Sequence, residues 1–169
     1  MKDIKEMTYE EWCEYQEQRE RELTKTSELV SEDEPYFIHI AVVDYCFSEE
    51  KPLLQFAPIY WMSEEMIEEH PDAFGIAGYG AILFNKERWE EENLHTRISA
   101  MFHEMLHLYC RYRDIKATSE DGYHLRAFAE AAEKHGGRCT LSADGWTEAT
   151  LTEETMKKVL SYLRKKGVE

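Results

Sequence analysis

No apolar run in the sequence approaches the roughly 20 residues that a helix needs to span a bilayer. A membrane is therefore not an expected partner. The opening residues, Met1-Lys2-Asp3-Ile4-Lys5-Glu6, hold no apolar stretch of the signal-peptide kind, and a cytoplasmic location is expected. Paired cysteines are missing too. Cys13, Cys46, Cys110 and Cys139 are scattered, with no CxxC among them. Such spacing excludes a zinc ribbon and does not suit a disulfide framework, so four free, buried thiols are expected. There is no internal repeat and no low-complexity linker. One domain over residues 1–169 follows, a length sufficient to bury a proper core. Positive charge is scarce over the first half. Residues 1–34 carry 5 basic and 12 acidic side chains, residues 35–95 carry 3 and 12, and residues 96–169 carry 12 and 11. The net charge of -15 disfavours broad contact with a phosphate backbone, so DNA is not an expected partner.

What is present reads as a mixture of helices and short strands. Residues 8–29 predict an acidic N-terminal helix, with Thr8 and Glu11 in capping-box spacing. Ser31-Glu32-Asp33-Glu34-Pro35 interrupts it, so the acidic helical segment covers about residues 1–34. Residues 36–43 are rich in β-formers and predict a strand. Residues 53–61 predict a second strand, held to an edge or a bulge by Pro58. Ser63 to Ile67 predicts a short helix ended near Pro71. Residues 75–84 predict a third strand, whose glycines admit close approach of another backbone and whose edge suits strand addition by a peptide. Residues 95–112 predict the strongest helix, because Ile98, Phe102, Met105, Leu106 and Tyr109 form one apolar stripe. A polar loop over 111–122 and a helix over 124–135, stopped by Gly136-Gly137, come next. Residues 139–146 predict a short strand and turn. Residues 152–166 predict a final helix with a basic last turn. The expected class is α+β, with helices packed on a small sheet.

Inside the strongest helix lies His103-Glu104-Met105-Leu106-His107, an HExxH sequence. Histidines at i and i+4 share a helix face and reach one metal ion. Glu104 then lies beside the metal without ligating it, placed to accept a proton from an attacking water. A catalytic zinc takes three protein ligands. Glu120, Asp121, His124, Glu130 and His135 all follow at distances that allow a third. His124 is favoured by its place after a loop and before apolar anchors, and Glu130 is its rival.

The stretch HEMLHLYCRYRDIKATSEDGYHLRAFAEAAEKHGG resembles the core of SprT-like metallopeptidases. In that family an HExxH helix is followed by a loop, a histidine and an aromatic residue four positions on, here His124 and Phe128. The tail Gly145-Trp146-Thr147 with its terminal helix is similar to compact SprT-like proteins of phages and other mobile elements. The resemblance covers residues 98–136 most closely and does not extend to the first 70. It implies a zincin-like fold, zinc on His103, His107 and His124, Glu104 as general base, and hydrolysis of a protein or peptide substrate. Leu125 stands where many members have glycine, and the cysteine-rich ribbon of many bacterial members is absent. Tyr109 and Tyr123 are further candidates for stabilising an oxyanion. Arg111, Arg113, Lys116, Arg126, Lys134 and Arg138 put positive charge around the motif. A second function fits the same features: a zinc-bearing, acidic host-interaction protein with little turnover.

Overall fold

The structure is a computed structural model that describes residues 3–30, 33–78, 80–143 and 145–168. Helix α1 spans Tyr9–Lys25, and its start is closed by the reciprocal Thr8 and Glu11 bonds that the capping box requires. A two-residue strand β1 follows at Glu28–Leu29. Of the expected break at 31–35, Ser31 and Glu32 lie outside the described residues.

The strand expected over 36–43 is instead helix α2, Glu34–Cys46. Asp33 caps it, its carboxylate accepting from the Glu34 N–H at 2.8 Å, and Pro35 sits in the first turn, where a missing N–H costs nothing. Ile38, His39, Ala41, Val42, Val43 and Cys46 are all buried. The most exposed positions of the helix, Tyr36 and Tyr45, are aromatic and not charged, so the apolar run carries no clear 3.6-residue signature and looks like a buried strand. The second expected strand also shrinks. Lys51–Leu54 forms a helical turn, α3, and only Ile59–Trp61 pairs, as β2. Pro58 lies just before it, as a residue without an N–H should.

Helix α4, Glu64–Glu69, starts on a Ser63 cap. The third expected strand is a hairpin rather than one strand. β3 is Gly75–Gly78 and β4 is Ala81–Phe84, paired antiparallel from Gly75 opposite Phe84 to Gly78 opposite Ala81. Gly80 takes a φ of 73° in the turn, and Tyr79 lies outside the described residues. The sheet order is β1-β2-β4-β3, with β2 and β4 parallel, so β3 is an edge strand.

After α5, Lys86–Glu91, the central helix α6 runs Leu94–Tyr112 behind an Asn93 cap. It packs against β3, β4 and α2. Helix α7 is Arg126–Lys134. The short pairs β5 (Gly137–Arg138) with β8 (Thr150–Leu151), and β6 (Leu141–Ser142) with β7 (Gly145–Trp146), precede helix α8 at Glu153–Lys165. Asp144, within the expected turn, lies outside the described residues. The main core gathers Ile38 and Val42 from α2, Phe47 just after it, Ile98, Met101 and Phe102 from α6, Phe128 from α7, and Val159 and Leu163 from α8. Met62, Met66, Ala81 and Leu83 fill a smaller cluster beneath α4. The fold is α+β, and the core grips α6 along its buried face.

Candidate metal centre

His103 and His107 stand one turn apart on α6, on the side not consumed by the apolar stripe. The third histidine arrives from a different kind of backbone than expected. His124 does not begin a helix. It lies in extended chain, bridged to Thr118 on one side and to Trp146 on the other, and α7 starts two residues later. A residue between two bridges has its backbone fixed on both sides, which aims its imidazole without helix geometry. Its Nδ1–H donates to the Trp146 carbonyl at 3.3 Å. That bond fixes the tautomer and leaves the Nε2 lone pair directed inward.

The three Nε2 atoms converge. His107 lies 3.1 Å from His103 and 3.3 Å from His124, nitrogen to nitrogen. A tetrahedral site with metal–nitrogen bonds of about 2.0–2.1 Å has ligand nitrogens about 3.3–3.4 Å apart. The two spacings to His107 come within about 0.3 Å of that edge length. Among the described residues, His103, His107 and His124 form a group able to hold a metal ion, and the donor set suits zinc. Phe128 is the platform beneath them. Its ring lies 4.2 Å from that of His124, nearly parallel at 11°, 4.8 Å from that of His107 and 5.3 Å from that of His103. The backbone N–H of Ala149 donates to His103 Nδ1 at 3.4 Å.

Electrostatics keep these rings neutral. Burial and the other two imidazoles hold His103 well below its ordinary pKa. Burial, His124 and Arg111 bring His107 down to about 4. Burial lowers His124, against the Trp146 carbonyl. Neutral imidazoles are the form that ligates a cation.

Glu104 is 7% exposed, and its carboxylate sits 3.8 Å from His103 Nε2. Burial and the nearby Glu148 push its pKa up to about 8, while the Ala77 backbone N–H opposes them. A dication at the three nitrogens would also favour the carboxylate. Edge strand β3 passes directly over this side chain. A Cβ on Gly75 would meet Glu104 Cγ at 3.2 Å and the Phe84 ring at 2.8 Å. What comes close to Gly75 is therefore not another backbone, as expected, but the side chains of Glu104 and Phe84.

The other third-ligand candidates fall away. Glu130 is turned to solvent and paired with Arg126 at 3.2 Å. Glu120 and Asp121 are exposed on the loop. His135 is buried elsewhere, with Nδ1 on the Ala131 carbonyl at 2.7 Å and Nε2 on Glu50 at 3.3 Å. Tyr109 is a core residue, packed on Phe47 and His135. Tyr123 is half exposed. Of the basic residues near the motif, Arg111 and Lys116 line the cleft, while Arg126 is spent on Glu130. Sequence reasoning missed the Trp146 carbonyl, which has no sequence signal, and Glu148.

A cleft crosses the centre in two arms. One, of about 770 Å³, is lined by Phe74, Gly75, His103, Glu104 and Glu148. The other, of about 690 Å³, is lined by Tyr9, Ile76, Ala77, His107 and Arg111. Compared with known proteins, the chain matches no family model, no curated protein and no solved structure.

Proposed function

We propose that this chain is a zinc-dependent peptidase that resembles the SprT-like metallopeptidases in site and in zincin-like arrangement. The observation that carries the reading is the convergence of His103, His107 and His124 Nε2 atoms at tetrahedral spacing, with the buried carboxylate of Glu104 beside them. A purely structural zinc has no use for that carboxylate.

His103, His107 and His124 would hold the zinc, which when bound would supply Lewis acidity toward a carbonyl and a water. The protein's part is proton management and alignment. Glu104 accepts a proton from the attacking water at a carboxylate oxygen, then delivers it to the amide nitrogen as the C–N bond breaks. His124, oriented by Trp146, holds its lone pair fixed throughout. The free edge of β3 offers backbone hydrogen bonds to an extended peptide, which would present its carbonyls in a row along the cleft.

The test is Glu104→Gln in zinc-loaded protein. Zinc content by elemental analysis should stay near one per chain, and cleavage of an unfolded protein substrate should fall at least 100-fold. Cleavage that survives the change would sink the mechanism. Stoichiometric zinc with no turnover in either protein would favour the acidic binding protein instead.

A further inference from the structure

The two arms of the cleft differ in charge. The second arm is lined by Arg111 and Lys116 as well as Asp114 and Glu120. The first is lined by Asp72, Glu91, Glu92 and Glu148, with Arg88 the single arginine or lysine among its lining residues, and Glu104 is common to both arms. Arg88 is engaged, one of its guanidinium nitrogens donating to the Asp72 carbonyl at 2.7 Å. Among the described residues no ion pair neutralises Asp72, Glu91, Glu92 or Glu148.

Glu148 is the most telling of these. It sits between β7 and β8, directly before Ala149, whose N–H donates to His103. It lines the first arm together with His103 and Glu104, which places it beside the metal centre. Yet it is not one of the converging ligands, and the hydrolytic scheme gives it nothing to do. Together with Asp72, Glu91 and Glu92 it gives this arm a negative potential, which favours a cation that enters.

We propose that the Glu148 arm selects a positively charged stretch of polypeptide, seating a lysine or arginine side chain on Glu148 beside the bond presented to the histidines. Asp72, Glu91 and Glu92 extend the preference to further basic residues along the same arm. This inference rests on the reading of the cleft as a polypeptide-binding site. Several exposed ion pairs of ordinary strength together give about a tenfold difference in Kd, weakened by salt.

The experiment measures binding rather than turnover. Zinc-loaded Glu104→Gln protein is titrated into fluorescent ten-residue peptides that differ only in carrying two lysines, two glutamines or two glutamates, and anisotropy is read at low and at physiological salt. The lysine peptide should bind about tenfold tighter than the glutamate peptide, and salt should narrow the gap. Glu148→Gln should remove most of the preference and Glu148→Lys should reverse it. Both changes fall on an exposed loop and leave the fold intact. Glu154→Gln, an acid on α8 outside the cleft, should change nothing. Equal binding of all three peptides, a preference that survives Glu148→Lys, or no peptide binding at all would overturn the proposal. The peptidase reading is judged separately, by cleavage with Glu104 intact. Charge-selective binding without cleavage would sink that reading and leave this one standing; cleavage blind to charge would do the reverse.

Discussion

Gly75 carries no side chain at the point where β3 crosses Glu104. A methyl group there would press on the Phe84 ring at 2.8 Å and on Glu104 Cγ at 3.2 Å. Gly75→Ala is therefore expected to destabilise the protein by about 1–3 kcal/mol, the usual cost of overpacking, and to displace the Glu104 side chain. Chemical denaturation and zinc content check it: stability should fall while the metal stays, because no ligand is touched. The third ligand gives a sharper contrast. His124→Ala removes one of three nitrogens and should weaken zinc binding by at least 100-fold, whereas Glu130→Ala, which loses only an exposed pair with Arg126, should leave the affinity unchanged. Competition with a chromogenic chelator reads both. The reverse order would hand the ligand role to the glutamate. Spacing favoured His124 over Glu130 only modestly beforehand, because it is silent on direction. The structure separates them by the Thr118 and Trp146 bridges, which turn His124 inward.

Helix α2 shows what an apolar run conceals. Its Asp33 cap and Pro35 were present in the sequence, yet the β-rich run that follows hid the helix, since its most exposed positions, Tyr36 and Tyr45, are aromatic and set no polar period. By contrast α6 keeps one face for the core and one for the cleft, so its stripe and its HExxH motif were both legible. The hairpin of β3 and β4 was half legible: its glycines signalled irregularity, but not that the chain reverses there. Buried α2 also carries a titrating group. His39 donates through Nε2 to the Leu54 carbonyl at 3.1 Å, and burial lowers its pKa to about 4. An unfolded chain protonates this ring near 6.5. Between those values the unfolded state binds the extra proton, so stability is full above pH 6.5 and drains away as pH falls toward 4. The loss from this residue is about 1.4 kcal/mol per pH unit, to a total of about 3 kcal/mol. Urea midpoints of the metal-free protein at several pH values should show a slope shallower by that amount in His39→Gln, which keeps a donor and cannot titrate.

As a whole the molecule is acidic, -15 net, with most of the excess in residues 1–95 and the histidine cluster in the balanced remainder. Duplex DNA should therefore bind weakly or not at all at physiological salt. A titration of labelled duplex checks this, and tight binding that collapses as salt rises would refute it. The three ligands also have a mechanical meaning. His107 and His124 are 17 residues apart, and the chain between them runs out from the end of α6 and back through the bridges at 118 and 124. An ion shared by these two histidines closes that excursion into a ring, as a covalent staple would, and shrinks the freedom of the unclosed chain. Chelation then acts as the cutting of a staple. The loop over residues 113–123 becomes the first place a foreign protease can enter, and the nick rate there reports metal occupancy with no substrate in the tube.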